Sequence, residues 1–296
     1  MGIVILADQP WSVARRRWEA AEAYGFAHAW TYDHIGWRSL VDGPWFDAVP
    51  TLSAAALCTS RITLGTMVAS PNFRHPVHFA REVTALDDLA GGRLVLGIGA
   101  GGMGFDQAVL GLPELSLGQR ARRFEEFVEL LDLVLRAPGA VTYRGRHYEA
   151  VEARGLPGCV TKPRTPFVVA ANGPRAAAVA ARYGQGWVTG GGPADDVAGW
   201  WRIVADNQRR FDEALDKAGH EPSHVDRYLV LDASGPLYSL SSVTAFADQL
   251  GRAAALGFTD VVTHWPRAEG WFAGDEAVLE AVAAEVLPAY RRPPVE

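Results

Sequence analysis

The densest chemistry in the chain is a pair of neighbours, Asp33 and His34. An imidazole changes charge near neutrality, so beside a reacting atom it can hold or pass a proton. The plainer alternative is a histidine hydrogen-bonded within a loop. Asp106 is the next acid suited to serve as an acid or base. His75 and His78 stand three apart and His264 lies far downstream, but a metal centre needs converging histidine and carboxylate ligands. The first apolar run ends at Asp8 with no histidine, so no metal is expected. Neither Cys58 nor Cys159 has a neighbouring base and no Gly-x-Ser-x-Gly elbow occurs, so covalent catalysis is not indicated.

Glycines form the second signal. Gly97-x-Gly99-x-x-Gly102 fits the dinucleotide fingerprint by letter, yet that motif must open a helix in a first βαβ unit. Here it falls on the fourth strand-like run, and Gly104 and Pro113 interrupt any helix after it. Two readings stay open: a backbone stripped of side chains so that a flat ring can lie against it, or a mobile loop. Asn172-Gly173-Pro174 and Thr189-Gly190-Gly191-Gly192 each precede a helical stretch. Either could cradle a phosphate with backbone N–H groups, or be an ordinary turn. Among ten tryptophans, Trp11, Trp37, Trp45, Trp265 and Trp271 fall in loop-like sequence, where flat rings suit a planar or apolar ligand.

These residues need a scaffold, and the hydrophobic pattern names one. Short β-rich runs occur at 2–7, 27–32, 62–69, 94–98, 167–171, 186–189, 228–231 and 260–263. Most are continuously apolar, as parallel strands covered on both faces must be. Helical stripes separate them, such as Phe79, Val83, Leu86, Ala90 and Phe124, Phe127, Leu131, Val134. Ser12 can cap the first helix, Gly25 can end it in the left-handed conformation, and Pro174 suits a first helical turn. Eight strand–helix units predict an α/β fold, a single (β/α)8 TIM barrel over residues 1–296 with extended βα loops. In such a barrel the strand ends carry the site, and polar or glycine residues gather there on nearly every strand. The segments 35–45 and 138–165 exceed usual connection lengths, and long loops of that kind tend to cover an active face.

Composition excludes several classes. With 28 basic and 34 acidic residues the net charge is −6, against nucleic acid binding through clustered lysine and arginine. No apolar stretch approaches the ~18 residues that span a bilayer. The first residues lack a basic n-region, so a cytoplasmic protein is expected, with no membrane partner. Two cysteines rule out a disulfide scaffold.

The order of several motifs resembles the luciferase-like monooxygenase superfamily, which includes bacterial luciferase and coenzyme F420-dependent reductases. They run from Ala23-Tyr24-Gly25-Phe26 to Asp33-His34, from Arg61-Ile62-Thr63-Leu64-Gly65 to Arg74-His75-Pro76, through Gly91-Gly92-Arg93 to Gly97-Ile98-Gly99-Ala100-Gly101, and from Asn172-Gly173-Pro174 to Gly186-Trp187. The resemblance implies a flavin or 5-deazaflavin at the C-terminal barrel face, with a non-proline cis peptide near Met67, Val68, Ala69 and Ser70. It implies cofactor contacts from Asp33, Ser70, Gly101, Asn172 and Gly173, with Met67, Val68 and Ala69 at the bulge behind the ring; the glycine-rich and cradle stretches add Gly99, Gly102, Thr189, Gly190 and Gly191 as expected contacts. His34 matches the histidine near the ring's reactive face, which with Asp106 makes the expected catalytic pair.

Where sugar-phosphate dehydrogenases of the deazaflavin branch place a glutamate, this chain has Gly102. The paired serines that grip phosphate in FMN members are replaced by Asn172-Gly173, which tilts the cofactor expectation from FMN toward F420. Trp37, Trp45, Phe73, Met103, Phe105 and Trp265 are expected to wall an apolar substrate pocket. The main expectation is hydride transfer between the cofactor and a small apolar organic substrate. The alternatives are an FMNH2-dependent monooxygenase using dioxygen and a non-catalytic flavin-binding protein. A homodimer and a separate reductase supplying reduced cofactor complete the expected partners.

Overall fold

The computed structural model describes residues 1–102, 104–221 and 225–290. Eight parallel strands close into a barrel: β1 (Gly2–Val4), β2 (His28–Thr31), β3 (Thr63–Ala69), β4 (Leu94–Gly99), β7 (Phe167–Ala170), β8 (Gly186–Thr189), β9 (Asp226–Val230) and β10 (Asp260–His264). Their positions agree with the eight apolar runs to within two residues at each end of most strands. Strand β1 pairs with both β2 and β10, which completes the ring.

The helices lie between the strands in sequence: α1 (Trp11–Tyr24), α2 (Ala48–Cys58), α3 (Pro76–Leu89), the short α4 (Phe105–Val109), α5 (Leu117–Arg136), α6 (Pro174–Tyr183), α7 (Val197–Ala218), α8 (Val243–Ala255) and α9 (Glu276–Glu285). Their apolar stripes meet the outer barrel face in one core containing Trp18, Phe79, Phe124, Phe127, Trp187 and Phe211. A second cluster fills the barrel itself, with Val4, Trp30, Tyr32, Met67, Val188, Tyr228 and Val262. Large and small residues interlock there: a Cβ on Gly65 would come within 2.4 Å of the Trp30 ring. Trp187 stacks on Phe211 at 4.8 Å and donates its indole N–H to the Ala171 carbonyl at 2.7 Å, pinning the end of β7.

Two expectations change. Helix α1 begins at Trp11, with Pro10 in the cap position and no side-chain cap, so Ser12 lies inside the first turn. Proline's fixed φ already suits a helix entrance. Gly25 does end this helix at φ 88°. The 138–165 segment is not a βα loop over the active face. It connects α5 to β7 and holds an antiparallel hairpin, β5 (Ala140–Arg144) with β6 (Glu149–Arg154). The hairpin runs back along α5, through Tyr143 to Glu129 and His147 N–H to Glu126, until Tyr148 meets the His75 ring at 5.3 Å.

One half-buried carboxylate sets the entrance to β3. Glu22 on α1 accepts from the backbone N–H groups of Ser60, Arg61 and Ile62 at 3.0, 2.6 and 2.8 Å. Burial alone would push its carboxyl up, but the Ile62, Arg61 and Ser60 N–H groups and the Ser60 hydroxyl outweigh it and hold it at about 2. A depressed carboxyl stabilises the fold above its unfolded value of ~4.3 and loses that contribution as pH falls toward the folded value. Glu22→Gln should therefore cost about 1–3 kcal/mol at pH 7. It should also flatten the acid dependence of stability between pH ~4.5 and 2, as read by urea unfolding at stepped pH.

Candidate functional site

The strand ends that open at the C-terminal face bring together much of what the sequence marks. Past β2 the side chains alternate, so Trp30 and Tyr32 face the barrel interior and His34 comes next at the mouth. Tyr32 and His34 meet edge to face at 6.1 Å. Asp106, on α4 after β4, reaches across to His34 with Oδ2 2.6 Å from Nδ1. Its other oxygen accepts from Ile35 N–H at 2.8 Å. Asp106 is buried while His34 keeps about a quarter of its side-chain surface exposed, 27% against 5%. A carboxylate accepting at Nδ1 fixes the neutral imidazole as the Nδ1–H tautomer, so Nε2 carries the lone pair. Trp45, expected in the substrate wall, donates its indole N–H to the His34 carbonyl at 2.7 Å and so holds the backbone of the pair.

Asp33 points the other way. Its oxygens accept from Arg74 Nε and Nη2 at 2.6 and 2.7 Å, and Arg74 Nη1 donates to Glu82 at 2.7 Å. Burial pushes the Asp33 carboxyl up and the Arg74 pair opposes that, a fork-to-fork match that favours the ionised pair. Asp33 thus joins the β2 end to the β3 end, and its carboxylate is committed away from a ring site.

The wall beside His34 is built from β3, β4 and β7, which follow β2 around the barrel. The Met67–Val68 peptide is cis, and the pairing of β3 with β4 shifts register between Thr66 and Ala69. Val68 lies against the glycines of β4: a Cβ on Gly99 would stand 2.7 Å from its side chain. Ser70 is buried and accepts weakly from Asn72 N–H at 3.4 Å. Gly101 takes φ 72°, and any Cβ there would strike Asn72 at 2.6 Å. By contrast, Cβ atoms on Gly102 and Gly173 would meet nothing within 4 Å. These two open backbones flank the mouth, and Gly173 caps α6 without any side-chain bond to its N-terminus.

The loop after β8 is tied down from behind. Thr189 donates to Asn172 Oδ1 at 2.8 Å, Asn172 Nδ2 donates to the Gly191 carbonyl at 2.9 Å, and Asn207 Nδ2 reaches Thr189 and Gly191. Gly190 packs on Ala233 and Gly191 on Trp200. The side chains of Thr189 and Asn172 therefore shape this loop, and its backbone is largely committed too: Gly191 N–H donates to Thr189 Oγ1 at 3.1 Å and the Gly190 carbonyl accepts from Trp200 and Ser234.

Among the remaining wall residues, Phe105 is exposed and lies against Gly36, while Phe73 is half-buried beneath Arg74. Trp37 is buried between Tyr32 and Phe272. Trp265 is a correction: it is buried in the outer core, stacks on Tyr24 at 6.1 Å and donates to Glu276, because the chain turns outward after β10. Met103 lies outside the described residues.

Two arginines on α5 carry no mark in the sequence reading. Arg120 Nη1 donates to the Gly101 carbonyl at 3.1 Å, and Arg123 Nη2 donates to Asn72 Oδ1 at 2.6 Å. Both are over nine-tenths buried, and both Nε atoms lack a partner among the described residues. No carboxylate pairs with either among those residues. Desolvation, with the neighbouring Arg120, pushes the Arg123 guanidinium down. Buried cations without anions are costly, so their place beside Gly101 marks an anion-accepting corner of the mouth. A signal for them does exist: Arg120 and Arg123 sit four residues before Phe124 and Phe127 on the apolar face of a helix.

A cavity of about 620 Å³ lies at the opposite barrel end around Glu22, Arg61 and Trp30. There His28 bonds Asp260 and Glu22 is spent on backbone N–H groups, so the reactive dyad and the anion corner belong to the other face. Among the described residues no helix is long and apolar enough to cross a membrane.

Residues 1–234 match the family described as luciferase-like monooxygenase. An F420-dependent glucose-6-phosphate dehydrogenase of Beutenbergia cavernae is 30% identical, with 92% of this chain and 91% of that protein aligned. A second enzyme of that name, from Microbacterium testaceum, is 29% identical over 72% of this chain and 61% of its own length. The solved F420-dependent secondary alcohol dehydrogenase in complex with an F420-acetone adduct superposes with a TM-score of 0.81 at 17% identity, covering 98% of both chains. With a full-length relative at 30% identity and most of the chain matched by the family, this protein belongs to the luciferase-like monooxygenase family.

Proposed function

We propose that the chain is a coenzyme F420-dependent oxidoreductase acting on the alcohol–carbonyl pair of an uncharged, apolar substrate. The observation that carries this reading is the Asp106–His34 dyad, whose free Nε2 faces a mouth walled by open glycine backbone and an anion corner. The F420-dependent relatives support the choice of deazaflavin over FMN.

The residues present fit such a cofactor. Gly102 and Gly173 leave room for a ring and its chain, Val68 supplies a packing surface behind it, and Arg120 and Arg123 meet a phosphate or carboxylate tail. When bound, the deazaflavin accepts or returns the hydride. His34 Nε2 takes the proton of the substrate hydroxyl, or gives it back to a carbonyl in the reverse direction. Asp106 keeps Nδ1 protonated and the ring oriented throughout.

A sugar phosphate fits poorly. Gly102 stands where the resemblance places a glutamate, and in this reading Arg120 and Arg123 are taken by the cofactor's tail, while Lys162 bonds the Cys159 carbonyl and Lys217 lies in the last turn of α7. Fluorescence titration of the cofactor-free protein with F420 and FMN, each oxidised and reduced, tests the reading. Micromolar F420 binding with weak FMN binding is expected, whereas preference for reduced FMN would transfer the assignment to a dioxygen-using monooxygenase. Gly173→Val should fold as the parent does, since its side chain meets only open space, yet lose at least tenfold in F420 affinity. Unchanged affinity would remove α6 from the cofactor site.

A further inference from the structure

A second cavity, about 330 Å³, opens at the same barrel face and is lined by Ser39, Asp232, Leu237, Tyr238, Trp271 and Phe272, with Gly235 and Gly270. It shares the β2 loop with His34, five residues upstream of Ser39. A line of packed rings joins it to the dyad: Phe272 stacks on Trp37 at 5.9 Å, Trp37 meets Tyr32 at 5.1 Å, and Tyr32 meets His34 at 6.1 Å.

The polar groups in this wall look inviting but are already committed. Asp232 Oδ1 accepts from Ser239 N–H at 2.7 Å, and Oδ2 accepts from the Ser239 hydroxyl, the Thr263 hydroxyl, His264 N–H and His264 Nδ1 at 3.1, 3.2, 3.0 and 3.1 Å. His264 Nε2 in turn accepts from the Tyr32 hydroxyl at 2.7 Å, and the ring is covered by Phe272 at 3.8 Å. Tyr238 donates to the His264 carbonyl at 2.8 Å, and Trp271 donates to Ser39 at 3.1 Å. Burial, and then the Asp232 charge, push both Tyr32 and Tyr238 well above the ordinary tyrosine value, so they stay neutral. A carboxylate saturated by five donors has little left for a ligand. What the cavity offers is therefore the surface of Trp271, Phe272, Tyr238 and Leu237.

The cavity is also roofed. Arg38 lies 4.5 Å from the Trp37 ring centroid and 4.2 Å from that of Trp271, and donates to the Ala233 carbonyl. This clamp joins the loops after β2, β9 and β10. Arg38 and Phe272 hold φ of 50° and 62°, a left-handed backbone that non-glycine residues rarely adopt, on either side of the same opening.

We infer that this cavity is the specificity pocket of the enzyme, taking the apolar, uncharged tail of an alcohol whose carbinol carbon lies at His34. The inference rests on the alcohol–carbonyl reading above. A volume near the lower end of the ~300–1,000 Å³ usual for small-molecule sites commits it to a compact tail, a short alkyl chain or single ring, and not a long lipid. The surface of Trp271, Phe272, Tyr238 and Leu237 favours an uncharged tail, and the roof cation Arg38 is held over the Trp37 and Trp271 rings by its bond to the Ala233 carbonyl.

The test uses straight-chain alkanols from butanol to dodecanol and cyclohexanol as probes, on the cofactor-free protein and on the F420-loaded enzyme. Each added methylene should tighten saturable binding, read as a change in Trp271 fluorescence, roughly three- to fourfold until the pocket is full. Beyond that length the gain should stop. Leu237→Trp should move the plateau to shorter chains, and Trp271→Phe should remove the fluorescence signal while the chain-length plateau persists in the KM values of the F420-loaded enzyme. Affinity that rises through dodecanol without a plateau, or a plateau that Leu237→Trp leaves in place, overturns the pocket. Saturable binding with the expected plateau but no oxidation of any bound alcohol would keep the pocket and reject the alcohol–carbonyl reading.

Discussion

His34→Ala is expected to lower turnover about 10²- to 10⁴-fold, the usual contribution of a placed acid–base group, with F420 affinity within a few-fold of the parent. The expectation comes from geometry. Nδ1 is occupied by Asp106 at 2.6 Å, so the His34 nitrogen left to a substrate proton is Nε2, on a side chain that keeps 27% of its surface exposed. Asp106→Asn separates orientation from mere presence. An asparagine oxygen can still accept from Ile35 N–H, preserving the loop, while its NH2 group facing Nδ1 reverses the tautomer and puts a proton on Nε2. Turnover should fall nearly as far as in His34→Ala, and the double variant should be little worse than either single one, since the two act as a unit. Steady-state kinetics beside a cofactor titration checks this. Unchanged kcat and kcat/KM in His34→Ala would remove the histidine from the chemistry, and additive losses would separate Asp106 from it.

The barrel is legible because its strands are buried on both faces and therefore read as uninterrupted apolar runs, many of them bounded by glycine or proline. Even the dyad is half visible: His34 stands at a strand end, and Asp106 is the nearest acid past the fourth-strand glycines. Their contact spans 72 residues and depends on α4, a five-residue helix too short for any periodic signal. The hairpin β5–β6 reads as a long covering loop because each short strand buries a single residue, Val141 and Ala150, too little for an apolar alternation to stand out. Trp265 misleads for a related reason. Tryptophan in a loop after a strand end predicts a mouth residue, but the backbone turns it toward Tyr24 and α9. Asp33 is the reverse case, adjacent to His34 in sequence yet pointing to the opposite side, since successive residues of an extended chain alternate. The Asp232–His264–Tyr32 network joins three strands more than two hundred residues apart at its extremes, and nothing local marks it.

The two arginines of α5 carry the remaining large effect. Replacing Arg120 or Arg123 by methionine should weaken F420 at least tenfold each, because a charge-assisted hydrogen bond contributes about 1.5–3 kcal/mol. The same substitutions should leave the affinity for the deazaflavin nucleoside, which lacks the phosphate and the acidic tail, within about twofold. That contrast separates an anion anchor from a group that merely shapes the ring site. Stability supplies an independent check. Both guanidiniums are over nine-tenths buried with an unpartnered Nε and no carboxylate among the described residues, so their desolvation is offset only by one carbonyl and one amide oxygen. Methionine has similar reach and no charge to desolvate, and removing a buried unpaired charge in favour of an apolar side chain tends to be neutral or stabilising. Thermal unfolding of the cofactor-free variants should therefore occur at or above the parent temperature, while saturating F420 should raise it less than in the parent. A residue kept for folding gives the opposite pattern, with lower stability and an equal loss of both ligands. Lowered stability in Arg120→Met with the two affinities falling together would make α5 a structural support of the mouth and leave the cofactor's anion to the backbone at Gly173.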